Sequence, residues 1–149
     1  MTIDDILADE SAILELQGRD GAAILAELAV GLARQSALDS NSLLERLRER
    51  EALGSTAFGR GLALPHAKAD VPRTFGVLGI SRDGVVFDAP DGKPVHVFLA
   101  LLSPMDSNEH LRALACVSRS FAEPMTVDRI VASSDAASIL QILRGEMPV

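Results

Sequence analysis

In the stretch "GRGLALPHAK", residues 59–68, a short apolar run meets a proline and then a histidine, His66. The ring of Pro65 fixes its own φ and biases Leu64 toward extended backbone, so the imidazole is carried on a stiff support. Gly59 and Gly61 permit close backbone approach before the run, and a loop after His66 is expected to turn amides toward an anion on the ring. The plainer reading of the same residues is a strand-end histidine bonded to backbone. His110 is the second imidazole. With Ser107 as N-cap it falls in the first turn of a helix, where free amides and the helix dipole favour an anion. Leu114 and Val117 follow it at four and seven residues, which puts His110 at the border of the buried side. Arg50 is the third candidate, three residues after Leu47 and seven after Leu43, at the edge of an apolar stripe in a helix's last turn. An arginine that merely complements the helix dipole is the alternative there, and it is the simplest reading of Arg46 and Arg48.

Together, a rigidly held imidazole, a second imidazole at a helix start and a fork-shaped cation are the set needed to take a phosphoryl group onto nitrogen. A neutral histidine nitrogen is a competent nucleophile, and the equatorial oxygens of the group in transit need donors. Arg50, His110 and backbone amides are the expected donors, and Lys68 and Arg60 are expected on the rim. No metal or other cofactor is expected. The histidines at 66, 96 and 110 have no metal-ligand spacing, and neither an H-E-x-x-H motif nor a cysteine pair occurs, which argues against a metal hydrolase.

The elements that must position these residues are legible from periodicity. "SAILELQ" reads as an edge strand leading into a helix over "RDGAAILAELAVGLARQ", whose inward face is Leu25, Leu28, Ala29 and Leu32. A second helix over "LDSNSLLERLRERE" is capped by Asp39 or Ser40, turns Leu43, Leu44 and Leu47 inward and stops at Gly54. "GSTAFGRG" reads as a loop before the strand at 62–64, and "TFGVLGIS" and "VHVFLALLS" as two more strands. The run from Val95 to Leu102 has almost no polar alternation, as a strand covered on both faces should. "SNEHLRALACVSRSFA" is predicted to be a helix with Leu111, Leu114, Ala115 and Ser118 on one side, and "VDRIVAS" and "DAASILQILRG" short helices. The expected fold is α/β: a single domain over residues 1–149, with a central mixed sheet of about four or five strands and helices on both faces.

Composition narrows the function classes. The 149 residues are 48% hydrophobic but only 3% aromatic, which removes stacking platforms for bases or sugars. A formal charge of −7 opposes binding to a phosphate backbone or an anionic membrane surface, so nucleic acid is not an expected partner. The same field makes a local cationic patch more telling. The start, "MTIDDILADE", lacks the basic and apolar regions of a signal peptide, and no run has membrane-spanning length, so no direct membrane insertion and a cytoplasmic location are expected. The single cysteine, Cys116, reads as a buried, inert thiol.

The stretches "EREALGSTAFGRGLALPHAK", "GVVFDAPDGKPVHVFLALLSP" and "NEHLRALA", in this order, resemble the type-2 IIA domains (fructose/mannitol class) of the bacterial phosphoenolpyruvate:sugar phosphotransferase system. The wording around the histidine looks most like the nitrogen-regulatory IIA branch. The resemblance covers nearly the whole chain and is clearest from Leu43 to Phe121. It implies that His66 is the phosphorylated residue, that His110 lies beside it and that Arg50 closes the preceding helix. It also implies an HPr-like phosphocarrier as donor and, as recipient or target, a IIB unit or a regulated protein such as a sensor kinase or ion transporter. The expected function is a histidine phosphocarrier acting mainly as a phosphorylation-dependent regulator. The alternatives are a IIA component feeding a IIB unit for sugar uptake and a regulatory binding module that carries no phosphate onward. Three departures stand out. Ala67 replaces a glycine common in that branch, Arg60 replaces a neutral polar residue, and His96 replaces an aspartate and is expected to be structural or pH-sensing rather than catalytic.

Overall fold

The computed structural model describes residues 1–146. Among the described residues six helices and six strands follow in this order: α1 (Ile3–Ile6), a 3-10 turn at Glu10–Ala12, β1 (Ile13–Glu15), α2 (Gly21–Ser36), α3 (Ser40–Ala52), β2 (Ala57–Gly59), β3 (Leu62–Ala63), β4 (His66–Ala69), β5 (Phe75–Val85), β6 (Val95–Pro104), α4 (Glu109–Ser120), α5 (Thr126–Ala132) and α6 (Ala136–Leu143). They form one mixed α/β sheet in the order β1-β5-β6-β3-β2, with β4 also on β6.

The sheet is organised around β6. It pairs antiparallel with β5 and parallel with both β3 and β4. From Val95 to Ser103 every residue except His96 is buried, the signature of a strand covered on both sides. The two covers are visible at neighbouring positions of β5. A Cβ on Gly76 would lie 2.4 Å from Ile6 of α1, whereas the side chain of Val77 meets Gly31 of α2. Successive strand residues point to opposite faces, so α1 and α2 lie on opposite sides of the sheet.

The two helices expected before residue 55 form as their periodicity dictates. Asp20 caps α2 by accepting from the Ala23 N–H at 2.9 Å, and Leu25, Leu28, Ala29 and Leu32 are buried. Asp39 caps α3 by accepting from Ser42 N–H at 2.9 Å, and Leu43 and Leu47 are buried. Leu44 packs only partly against the core.

Other expectations need correction. The segment "GSTAFGRG" is not all loop, because Ala57–Gly59 forms β2 antiparallel to β3. The single strand expected at 62–64 is one line of extended chain broken in the middle. Leu62 stands opposite Val97 and His66 opposite Leu101, so the register is the same on both sides of Leu64–Pro65. Pro65 has no N–H for the ladder, but its carbonyl still accepts from Leu101 at 2.9 Å. Residues after His66 therefore continue as strand rather than as an anion-cradling loop, and Ala67 is a buried strand residue.

The inward face of α4 is also different from the one expected. Ala113, Cys116 and Val117 are buried, while Leu111 is 57% exposed. Both faces satisfy helical spacing, but the small side chains let α4 sit close to β6 and α1, and that contact decides the rotation.

Candidate functional site

His66 is the first residue of β4, immediately after the proline break. Its placement follows from how β3 ends. Leu64 turns its backbone away from β6: its N–H donates to the Thr56 carbonyl at 3.0 Å. Its carbonyl faces the same way, past the start of β2, and the His66 ring takes it, Nδ1 lying 2.8 Å from Leu64 O. A carbonyl only accepts, so Nδ1 carries the proton and Nε2 bears the free lone pair.

Arg50, in the last turn of α3, meets that lone pair. Its Nε donates to His66 Nε2 at 3.3 Å, and its Nη1 donates to the Gly54 carbonyl at 2.9 Å. Burial of Leu43 and Leu47 fixes the rotation of α3 and so delivers the guanidinium to the sheet margin. The half-buried imidazole is held below the ordinary histidine range, first by desolvation and further by the Arg50 and His110 charges; the bond to Leu64 O and the Glu51 carboxylate pull the other way. The ring is thus presented neutral.

His110 is the second residue of α4, whose N-cap is Asn108 rather than the expected Ser107. Ser107 Oγ nonetheless accepts from the Glu109 N–H at 3.2 Å. His110 shares an open depression of about 360 Å³ with His66, Arg50, Arg46, Glu49, Leu53, Ala67, Lys68 and Met105. Its Nδ1 is buried and has no hydrogen-bond partner among the described residues, which leaves Nε2 as the ring nitrogen able to meet a ligand.

Arg50, His66, His110 and Lys68 are therefore brought together. Arg60 is not. It sits in a left-handed turn between β2 and β3 with φ 57°, its N–H donating to Asp91 Oδ2 at 3.0 Å, and it borders a separate groove with Phe58, Leu62, Phe121 and Val127. That turn is at the N-terminal end of β3, whereas His66 follows the C-terminal end, so strand length separates them. His96 likewise lies elsewhere, its Nδ1 3.0 Å from the Ser81 carbonyl and its ring against Gly84. Cys116 is buried, and desolvation pushes its thiol up, as an inert thiol requires.

Sequence reasoning missed two features of the rim. Arg46, read as a dipole-complementing residue, donates to the Lys68 carbonyl at 3.1 Å and borders the depression. Leu53 and Met105, 85% and 49% exposed, add apolar surface beside His66. The available signal for Leu53 was an apolar residue beyond the helix stripe, just before Gly54.

A neutral, tautomerically fixed histidine at the start of a strand, with an arginine on its free nitrogen, is chemically able to take up a group on that nitrogen. The chain belongs to the family of phosphoenolpyruvate-dependent sugar phosphotransferase system EIIA 2 domains, whose model matches residues 5–145. Within that family it is 32% identical over 145 residues to a nitrogen regulatory protein of Bradyrhizobium diazoefficiens, covering 96% of this chain and 95% of the relative. The nitrogen regulatory protein IIA-Ntr of Neisseria meningitidis, a crystal structure, superposes with a TM-score of 0.87 at 34% identity, covering 95% of this chain and 98% of that one. The fold is shared too with the mannitol enzyme IIA of Escherichia coli in its complex with phosphorylated enzyme IIB, at TM-score 0.79 and 16% identity over 91% of this chain and 96% of that one. No helix among the described residues is long and apolar enough to cross a membrane.

Proposed function

We propose that this chain, acting as one IIA domain over its whole length in the cytoplasm, accepts a phosphoryl group on His66 Nε2 from the phosphohistidine of an HPr-like carrier. The observation that carries the reading is the pair of bonds on the ring: Nδ1 to Leu64 O at 2.8 Å and Arg50 Nε to Nε2 at 3.3 Å. The first leaves the Nε2 lone pair for attack. The second puts a guanidinium where the transferring oxygens arrive. As the P–N bond to His66 forms, the donor's P–N bond breaks and its electron pair stays on the donor nitrogen, in line and with no metal needed to balance the step. Arg50 leaves the lone pair and turns its N–H groups to the oxygens, and His110 Nε2 supplies a further contact. The Nδ1–H goes on donating to the Leu64 carbonyl, which stabilises the positive charge the ring gains while it is substituted.

The output is regulation. A phosphoryl group adds about one and a half to two negative charges to a rim lined by Arg46, Arg50 and Lys68 and flanked by exposed Leu53 and Met105. A partner docking on that rim, such as a sensor kinase or an ion transporter, meets a cationic surface in the free state and a largely neutralised one in the phosphorylated state. Two of the relatives above, which match nearly full length, are named as nitrogen regulatory proteins, and that supports regulation over supply of a IIB unit for sugar uptake. The test is incubation with a phosphorylated HPr-type carrier followed by intact mass measurement. Wild type should gain one acid-labile, base-stable phosphoryl group and His66→Ala none. A full adduct on His66→Ala removes the assignment.

A further inference from the structure

Both hydrogen bonds on the His66 ring lead back to the segment after α3. Leu64, whose carbonyl holds Nδ1, donates its own N–H to the Thr56 carbonyl at 3.0 Å. Arg50, which holds Nε2, donates its Nη1 to the Gly54 carbonyl at 2.9 Å. Gly54 and Thr56 are thus the outer anchors of the nucleophile, and they lie in a connection with no regular structure, Gly54 at a φ of 150°. A loose connection would let both anchors drift. What prevents this is Glu51, the residue after Arg50. Its Oε2 accepts from the Thr56 N–H at 3.1 Å and its Oε1 from the Thr56 hydroxyl, and Thr56 is only 8% exposed. One carboxylate therefore satisfies both donors of a buried threonine, and the Gly54 N–H closes the turn on the Glu51 carbonyl at 3.1 Å.

We infer that Glu51 is a positioning residue for the phosphoryl acceptor: by clamping Thr56 it fixes both the Leu64 carbonyl that sets the His66 tautomer and the Gly54 carbonyl that aims Arg50 at Nε2. The inference rests on the reading of His66 as the acceptor. The clamp acts by geometry. The Glu51 charge itself opposes the neutral ring, and it is the smallest of the influences acting there. Glutamine at this position keeps an oxygen for the Thr56 N–H and an amide that can donate to its hydroxyl, so it should preserve the clamp.

The test uses the full chain with ¹⁵N-labelled histidine, compared as wild type, Glu51→Ala and Glu51→Gln. The long-range ¹⁵N–¹H spectrum at neutral pH reports which nitrogen of His66 carries the proton, with no phosphoryl donor in the tube. Transfer from a phosphorylated HPr-type carrier is then timed. Wild type should show the proton on Nδ1. Glu51→Ala should average the two tautomers and transfer on the order of tenfold to a hundredfold more slowly, the scale of a misplaced reacting group, with kcat falling more than KM rises. Glu51→Gln should restore both readings. A Glu51→Ala protein with wild-type tautomer and rate overturns the inference, and so does a Glu51→Gln protein as impaired as Glu51→Ala, which would assign the effect to charge. Should Glu51→Ala fail to fold, Thr56→Val, which keeps the backbone N–H and loses the hydroxyl, should show part of the same tautomer averaging; a wild-type spectrum there overturns the clamp. A wild-type chain with the Nδ1 proton fixed that takes no phosphoryl group would defeat the phosphocarrier reading and leave the clamp standing.

Discussion

Replacing Arg50 by alanine isolates the electrostatic part of the proposed transfer. In the resting site the guanidinium spends one N–H on the Nε2 lone pair at 3.3 Å and another on the Gly54 carbonyl at 2.9 Å. Attack on phosphorus frees the first N–H for the arriving oxygens. Removing a preorganised donor of this kind from a transition state costs about 2.7–4 kcal/mol. The same substitution also releases the lone pair from a hydrogen bond worth about 1 kcal/mol, which makes the nucleophile easier to engage. The net loss is then about 2–3 kcal/mol, or roughly thirty- to a hundred-and-fifty-fold in the rate of phosphoryl acceptance. Lysine should recover only part of this, because a single ammonium on a flexible stem cannot serve His66 and Gly54 together. Gly54 is exposed, so its carbonyl is satisfied by water in either variant and the fold should survive. The assay is rapid-quench transfer from a phosphorylated HPr-type carrier at saturating donor, with the His66 ring titrated in parallel by NMR. Loss of the cation should raise the ring's pKa, since the Arg50 charge helps hold it down. An Arg50→Ala protein that accepts phosphate at the wild-type rate refutes the role, and one with an unchanged ring titration refutes the electrostatic reasoning behind it.

Two further outcomes follow from the packing and the ring. His66 is held below the ordinary value of about 6.5, so as pH falls through that value the unfolded chain takes up a proton that the folded chain resists, and stability drops. This contribution is complete above about 6.5 and is lost toward the folded-state pKa; denaturation against pH should show wild type losing stability relative to His66→Gln across that window, and a constant difference would contradict it. Gly76→Ala places a methyl 2.4 Å from Ile6 Cγ2 and 3.4 Å from the Ala100 carbonyl oxygen, so α1 or β5 must shift at a cost of about 1–3 kcal/mol in urea denaturation; no change in midpoint would mean that α1 is not seated on β5.

The sequence alone determined whatever depends on short-range periodicity and on chemical type. Leu25, Leu28, Ala29 and Leu32 specify one face of α2, and Leu43 and Leu47 specify the stripe that leaves Arg50 at the edge of α3. The apolar run from Val95 implies a strand covered on both sides, and the proline before His66 implies a stiff mount. The residue types at 50, 66 and 110 already offer a candidate nucleophile and candidate donors for it. Tertiary structure alone decided the rest. Whether the Leu64 carbonyl is free for the imidazole depends on where β2 begins, which is a fact about another strand. The tautomer, and with it the choice of Nε2, follows from that carbonyl. The inward face of α4 was undecidable because two faces obey the same spacing, and contact with β6 and α1 selected the small one. Arg60 and Lys68 are both basic and both near His66 in sequence, yet an extended chain carries six residues far enough to put Arg60 in another groove while Lys68 stays on the rim. Periodicity fixes which side of an element is buried. It carries no information about which backbone groups a neighbouring element leaves unpaired, and in this chain one such unpaired carbonyl sets the tautomer of His66.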